Sequence, residues 1–177
     1  MSDFQLPIKP RLIGKKRRVA IVASRFNSAF TDAMVESCCR VLVEEAEGVA
    51  MDLHQVPGAF EIPVAAAAIA ERQQPDAIIA LGVIIRGATA HGDLVGESVT
   101  TALQNIATKH LIPVINEVLL VNSEEEAIER TMGEQLNRGQ EAGRAALDML
   151  EAMEKIRATG SGKQATAKQK QGLGTNG

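Results

Sequence analysis

An uninterrupted apolar run at 77–85 places the strongest constraint on how this chain folds. A strand with one solvated face alternates apolar and polar residues, whereas a run that is apolar throughout is typical of a strand covered on both faces. The run ends in Arg86-Gly87-Ala88-Thr89-Ala90-His91. Because open α/β sheets bind ligands beyond the carboxyl ends of their strands, this junction is a candidate site.

The junction carries groups that suit proton transfer on an anionic substrate. Gly87 lets the backbone approach a bound group, and Thr89 supplies a hydroxyl. His91 belongs to the residue type that titrates nearest to neutral pH. Arg86 is the most conspicuous charge in the run.

Three further strands and five helices are indicated by apolar patterning and by helix-start signals. The predicted strands are 18–23, 49–56, 77–85 and 113–121, and the predicted helices are 29–47, 60–72, 93–110, 123–132 and a last one that ends near 157. Ser123 and Glu126 have the spacing of a capping box, and Gly48 is placed to end the first helix. The alternation of strands and helices predicts a flavodoxin-like three-layer αβα sandwich with a four-stranded parallel sheet.

The length of 177 residues and the hydrophobic content of 45% fit one domain with a substantial core, predicted at 15–157. Residues 1–14, with Pro7 and Pro10, are predicted to be extended. Residues 158–177 are basic, lack apolar periodicity and are predicted to be disordered.

The formal charge is distributed unevenly along the chain. Residues 1–18 carry +5 and residues 158–177 carry +3, so the net charge of −3 leaves −11 on the residues between. An acidic body with 2% aromatic residues argues against nucleic-acid binding. No apolar run approaches the ~20 residues of a membrane helix, and no secretion signal is present, so the predicted location is the cytoplasm. Cys38 and Cys39 are adjacent, which suits packing rather than a disulfide or a metal site.

The loops that follow the strands are predicted to meet at one edge of the sheet. They are Arg25-Phe26-Asn27, Pro57-Gly58-Ala59-Phe60-Glu61, Arg86 to His91, and the segment from Asn116 onward. Phe26 either stacks on a flat ligand or plugs a helix end, and Phe60 belongs either to this site or to the core. Glu61 either contacts a ligand or complements a helix dipole, and Arg130 either binds phosphate or forms a surface ion pair. Walker A, GxGxxG, zinc-ligand and GxSxG motifs are missing from the sequence.

Taken together, several segments resemble the 6,7-dimethyl-8-ribityllumazine synthase family over about residues 15–155. They are Arg25-Phe26-Asn27, Val56 to Pro63, Leu81 to Thr89 with His91, Ala127-Ile128-Glu129-Arg130, and Asn137-Arg138-Gly139. The resemblance implies a transferase of riboflavin biosynthesis that condenses 5-amino-6-(D-ribitylamino)uracil with 3,4-dihydroxy-2-butanone 4-phosphate, without a metal or redox cofactor.

The resemblance also implies a role for individual residues. Phe26 would stack on the pyrimidine, with Asn27 beside it. The implied ribityl contacts are Ala59, Phe60 and Glu61, the implied heterocycle contacts are the backbones of Ile84 and Ile85, and the implied phosphate neighbours are Gly87, Ala88 and Thr89. Arg130 would anchor the phosphate, and His91 would be the general acid and base.

Some residues depart from the pattern that the resemblance implies. Family members usually carry an aromatic residue where Asn116 stands, glycine where Glu117 stands and lysine where Arg138 stands. These substitutions affect the expected pocket for the four-carbon substrate, to which Asn116, Arg138 and Glu141 are also assigned. We expect Glu141 to pair with Arg138.

The resemblance implies a homopentamer in which a neighbouring subunit supplies the regions around Asn116 and Arg130. Pentamers of this family stay free, pair as decamers or close into a sixty-subunit icosahedral shell. The length of the 131–137 connection favours the shell, whereas Pro7 and Pro10 oppose addition of an N-terminal strand to a neighbour.

Two rival hypotheses remain at this point. One is a catalytically weak lumazine- or flavin-binding protein, or a structural cage, on the same scaffold. The other is a generic phosphosugar-binding α/β domain. Formation of the lumazine from the two substrates separates the synthase from both.

Overall fold

A parallel sheet forms the centre of residues 17–171, the part of the chain that the computed structural model describes. Its four strands are β1 (Arg17–Ser24), β2 (Val49–Val56), β3 (Ala77–Ile85) and β4 (Val114–Val121), arranged in the order β2-β1-β3-β4. Each neighbouring pair is parallel. The predicted segment 1–14 and the tail residues 172–177 lie outside the described residues.

Helices cover both faces of this sheet. The described helices are α1 (Ser28–Glu44), α2 (Ile62–Arg72), α3 (His91–His110), α4 (Glu124–Met132) and α5 (Arg138–Gln171), with a short 3-10 turn at Ala59–Glu61. In β1, Val19 and Ile21 pack with the layer formed by α1, α4 and α5, whereas Ala20 and Val22 pack with α2 and α3. This double burial is the reason for the apolar sequence of the central strands and confirms the flavodoxin-like three-layer sandwich.

The start of α4 confirms one half of the predicted capping box and changes the other. The Ser123 hydroxyl accepts a hydrogen bond from the Glu126 backbone N–H at 3.2 Å. The Glu126 carboxylate does not return to Ser123 but accepts from the backbone and side chain of Asn122, at 2.8 and 2.9 Å. Asn122 therefore supplies the donors for this carboxylate, whereas in a capping box the donor is the backbone N–H of the N-cap residue.

Two helix ends differ from their predicted positions. The first helix ends at Glu44, and Gly48 lies beyond it with φ 86°, in the turn that leads into β2. The last helix continues to Gln171 instead of ending near 157, so the disorder predicted from residue 158 is wrong for the backbone up to 171. Residues 163–171 are mostly lysine, glutamine and alanine. These residue types have high helix propensity, so they suit a helix that lacks an apolar stripe.

Both cysteines lie on α1 and pack in the core, as predicted. Cys38 and Cys39 are free thiols and fully buried. Burial raises the pKa of both thiols, that of Cys39 to about 12, so neither is a thiolate at neutral pH. Within residues 17–171, no helix has the length and apolar character needed to cross a bilayer.

Candidate active site

A cavity of about 360 Å³ opens at the carboxyl edge of the sheet, beside the first turn of α3. Nine of the predicted site residues line it: Phe26, Ala59, Phe60, Glu61, Ile84, Ile85, Gly87, Thr89 and His91. They come from the end of β3 and from the segments that follow β1, β2 and β3, which parallel strands bring to a common edge. The structure therefore brings together three of the four segments that the sequence assigned to this edge.

The two aromatic rings of the cavity are exposed rather than packed in the core. Phe26 is 71% exposed and Phe60 is 62% exposed. The alternatives of a helix-end plug for Phe26 and a core position for Phe60 are therefore wrong for this chain. An exposed phenyl ring at the wall of a cavity provides an apolar face for a flat ligand.

Hydrogen bonds fix the loop that presents Phe26. Its backbone N–H donates to the Pro57 carbonyl at 3.0 Å, which joins the loops after β1 and β2. Asn27 has left-handed backbone angles, φ 58° and ψ 41°, and its side-chain amide donates to the Val83 carbonyl at 2.8 Å. Asn27 lies outside the lining of the cavity, so its visible role is to hold this loop against β3.

The position of Glu61 is compatible with both roles considered for it. It occupies the N-cap position of α2, where the helix dipole stabilises a carboxylate, and it also lines the cavity. A Cβ on Gly58 would lie 3.0 Å from the Glu61 Oε2 atom, so glycine leaves room for this carboxylate. A carboxylate at this wall is an acceptor for ligand hydroxyl groups.

The loop after β3 supplies the polar end of the cavity. A Cβ on Gly87 would meet no heavy atom within 4 Å, so the backbone here borders open space. Thr89 and His91 are exposed and line the cavity, and His91 begins α3. Ala88 is exposed but does not line the cavity.

Besides Asn27 and Ala88, four predicted site residues lie outside this cavity: Asn116, Arg130, Arg138 and Glu141. The expectation that Asn116 lies at the carboxyl edge of the sheet is wrong. It is the third residue of β4, pairs in register with Ala80 and donates from its side chain to the Thr100 hydroxyl at 3.2 Å. Arg130 lies on α4, where its Nε donates to Glu126 Oε1 at 3.0 Å.

An acid–base cluster forms between β4 and the first turn of α5. Arg138 donates to Glu141 at 2.6 Å, which confirms their predicted pairing. Its Nε atom is buried without a hydrogen-bond partner. Burial raises the pKa of Glu117 to about 7. The charge of Glu141 also raises this pKa, whereas the charge of Arg138 lowers it. Glu117 and Arg138 therefore interact electrostatically.

Glu117→Gln is expected to remove a pH dependence from folding. Because the folded-state pKa lies above 4.5, the ordinary value for a glutamate, this carboxyl group opposes folding increasingly as pH rises from about 4.5 to 7. At pH 8 the variant should be more stable than the wild type by about 1–2 kcal/mol, a value discounted for the partial exposure of Glu117. Urea unfolding at pH 5 and pH 8 measures the difference. Glu124→Gln, at an exposed position, is the matched control, and an equal gain at both pH values would contradict the prediction.

Four lining residues were not among the predicted site residues: Gly58, Val83, Gly92 and Val95. Gly92 and Val95 follow His91 by one and four positions at the start of α3, and the helical period is the signal that locates Val95 on the same face. A Cβ on Gly92 would lie 3.3 Å from the Ile84 Cγ2 atom, so this glycine lets α3 approach β3 closely. Among the described residues, no three His, Cys, Asp or Glu side chains are grouped to hold a metal ion.

Comparison with known proteins identifies a family whose sequence model covers the cavity described above. A sequence model described as 6,7-dimethyl-8-ribityllumazine synthase matches residues 16–154. The chain belongs to the 6,7-dimethyl-8-ribityllumazine synthase family. The match spans all four strands, the cavity and the Arg138 cluster, so every predicted site residue lies inside the lumazine synthase region.

Three similar proteins, each named 6,7-dimethyl-8-ribityllumazine synthase, extend this result. The protein of Verminephrobacter eiseniae is 43% identical over 150 residues, which cover 82% of this chain and 93% of the relative. That of Albidiferax ferrireducens is 40% identical over 149 residues, with 82% and 91% covered. That of Methylibium petroleiphilum is 39% identical over 149 residues, with 82% and 89% covered. The chain thus spans nearly the full length of these lumazine synthases.

Proposed function

We propose that this chain condenses 5-amino-6-(D-ribitylamino)uracil with 3,4-dihydroxy-2-butanone 4-phosphate, giving 6,7-dimethyl-8-ribityllumazine, water and inorganic phosphate in riboflavin biosynthesis. The observation that carries the proposal is a cavity built from the family's own segments, with exposed aromatic rings, a carboxylate and an imidazole on its wall. Its volume of about 360 Å³ falls within the range of small-molecule sites.

The pyrimidine substrate occupies the aromatic side of this cavity. The exposed ring of Phe26 stacks on the flat heterocycle, whose polar edge is bound by backbone groups of Ile84 and Ile85. Glu61 accepts hydrogen bonds from ribityl hydroxyls, with Ala59 and Phe60 alongside the chain. Support for this orientation comes from the presence of these residues in the lining of one cavity, with Ile84 and Ile85 at the end of β3.

The chemistry requires repeated proton transfer. The 5-amino group attacks the ketone and forms an imine with loss of water. Removal of the C3 proton expels phosphate and leaves an enol, which tautomerises to a second carbonyl. The ribitylamino nitrogen closes the ring on this carbonyl with loss of a second water. His91 gives and receives protons in these steps, and its place at the cavity wall supports that role. Binding both reactants side by side supplies much of the remaining rate.

The phosphate lies at the polar end of the cavity, beside Gly87, Ala88 and Thr89. The open space at Gly87 lets the backbone approach an anion, and the nearby start of α3 favours negative charge. Arg130 supplies the guanidinium group that binds the phosphate. Because Arg130 lies outside the cavity of its own chain, it comes from a neighbouring copy, together with Asn116, Arg138 and Glu141.

A pentamer of this chain accounts for that division of the site. β4 lies at the outer edge of the sheet and pairs only with β3 among the described residues. The regions around β4, α4 and α5 are therefore placed to meet the cavity of an adjacent subunit. Light scattering after size exclusion measures the mass and distinguishes a pentamer, a decamer and a shell.

Incubation of the protein with both substrates tests the proposed reaction. The expected result is growth of the lumazine absorbance together with an equal release of inorganic phosphate. Phosphate release that also depends on the pyrimidine substrate excludes simple hydrolysis. Tight flavin binding without any turnover would contradict the proposal and identify a binding protein or cage instead.

His91→Ala is expected to lower kcat by about 10- to 100-fold, because a positioned acid or base contributes rate while proximity of the reactants is retained. KM for either substrate should change little. Steady-state kinetics measures both parameters. His110→Ala, at the opposite end of the same helix and outside the cavity, is the matched control. An unchanged kcat in His91→Ala would remove His91 from the proton-transfer role.

A further inference from the structure

We propose that Arg86, Asn122 and Glu126 are positioning residues that hold Arg130 ready for phosphate, through hydrogen bonds that connect the start of α3 with the last turn of α4. This inference rests on the proposed function, since it takes Arg130 as the phosphate ligand. Arg86, Asn122 and Glu126 all lie outside the lining of the cavity. Their contribution is therefore to the geometry of another side chain, not to contact with substrate.

The first part of this chain of hydrogen bonds fixes Arg86. Its Nε and Nη2 atoms donate to Asp93 Oδ1 at 2.9 and 2.8 Å, and its Nη1 donates to Asn122 Oδ1 at 2.7 Å. Asp93 thus neutralises the most conspicuous charge near the cavity, and Arg86 orients Asn122. A guanidinium group held by three contacts to protein acceptors is a rigid support rather than a free anion ligand.

The second part passes from Asn122 to Arg130. The backbone N–H and the side-chain amide of Asn122 both donate to Glu126 Oε2, at 2.8 and 2.9 Å. The other oxygen, Oε1, accepts from Arg130 Nε at 3.0 Å. The hydrogen bonds to Oε2 therefore fix the Glu126 side chain, and Oε1 in turn fixes the Arg130 side chain. The backbone hydrogen bond from Asn122, with smaller contributions from the Asn122 and Arg130 side chains, lowers the pKa of Glu126, which keeps both oxygens as acceptors.

The anchors of this network adjoin the ends of two paired strands of the sheet. Arg86 and Asn122 directly follow β3 and β4, and the Arg86 backbone N–H donates to the Val121 carbonyl at 2.9 Å. An arginine side chain has many rotamers, and fixing it before a ligand arrives lowers the entropy lost on binding. Arg130 donates to Glu126 through Nε, while a phosphate fork is formed with the terminal nitrogens of the guanidinium.

Asn122→Ala is the sharpest test, because it interrupts the network without changing charge or touching Arg130. KM for 3,4-dihydroxy-2-butanone 4-phosphate should rise about fivefold, as expected for coupled neighbours, while kcat and the KM of the pyrimidine substrate stay within about twofold. In the Arg130→Ala background, Asn122→Ala should add no further increase. If Asn122→Ala instead damaged the fold in general, it would raise the KM in the Arg130→Ala background as well. Asn105→Ala, exposed on α3, is the matched control.

Glu126→Gln provides a second variant that keeps the shape of the side chain. Its single carbonyl oxygen cannot serve both Asn122 and Arg130, so the same KM should rise. Glu129 is exposed on α4 beside Arg130, and Glu129→Gln makes the same charge change. This control variant should leave the KM for the phosphate substrate unaltered.

The outcomes separate this inference from the proposed function. If the wild type forms product and Arg130→Ala raises the KM for the phosphate substrate, an unchanged KM in both Asn122→Ala and Glu126→Gln overturns the positioning role alone. An equal increase from Asn122→Ala with and without Arg130 overturns it as well. Failure of the wild type to form product overturns the proposed function itself, and the inference with it.

Discussion

Arg130→Ala is expected to raise KM for 3,4-dihydroxy-2-butanone 4-phosphate about a hundredfold, because a guanidinium–phosphate fork loses two charge-assisted hydrogen bonds. kcat at saturating phosphate substrate and KM for the pyrimidine should change much less. Steady-state kinetics with one substrate saturating and the other varied gives each constant. Arg130→Lys retains the charge without the fork, so its KM should lie between those of the wild type and the alanine variant.

Arg144→Ala is the control for this arginine. Arg144 pairs with Glu45 at 3.0 Å on the far side of α5, outside the cavity, and its removal should leave both KM values unaltered. An unchanged KM in Arg130→Ala would return Arg130 to the role of a surface ion pair with Glu126. The phosphate contact would then belong to the loop at Gly87 and Thr89 alone.

The same variant tests whether the site is shared between subunits. Arg130→Ala and His91→Ala each damage one half of a shared site. If the halves come from different copies, unfolding and refolding the two variants together produces mixed assemblies with some intact sites. Activity above the sum of the separate variants is expected. Activity that never exceeds this sum would place both residues in the site of one chain.

The central strands were predictable because burial on both sides leaves little freedom in their sequence. The predicted bounds of β3 agree with the structure at every residue, and those of β1 differ by one residue at each end. The cavity was predictable for the related reason that loops after parallel strands meet at one edge. Asn116 was misplaced because that rule applies to the end of a strand, whereas β4 begins only two residues before it, at Val114.

Other features depend on contacts between distant segments, which periodicity does not contain. Phe60 lies in a 3-10 turn before α2, so its spacing gave no indication of whether the ring is covered. The proximity of Glu117 to Arg138 arises from packing of α5 near β4, and the bond from Arg86 to Asn122 joins residues 36 positions apart. The sequence located these side chains along the chain but not the partners that set their charge and orientation.

Gly139→Ala is expected to destabilise the fold by about 3 kcal/mol, at the upper end of the cost of overpacking. A Cβ at this position would overlap the Ser37 hydroxyl and the Met34 carbonyl, which belong to α1. The site of the overlap is tightly bonded, since Asn137 Oδ1 accepts both the Ser37 hydroxyl at 2.9 Å and the Gln140 N–H at 3.1 Å. Relief of the clash therefore either separates α5 from α1 or breaks the hydrogen bonds that Asn137 makes at the start of α5. Urea unfolding at one fixed protein concentration measures the loss.

Gly87→Ala is the matched control for Gly139→Ala, because it makes the same substitution where a Cβ would meet no heavy atom within 4 Å. Its unfolding midpoint should stay close to that of the wild type. The comparison separates steric overlap from the general difference between glycine and alanine in unfolded-chain entropy, which favours alanine at both positions. Equal midpoints for the two variants would show that α5 shifts on α1 without cost. The Asn137-Arg138-Gly139 segment would then owe its glycine to something other than helix packing.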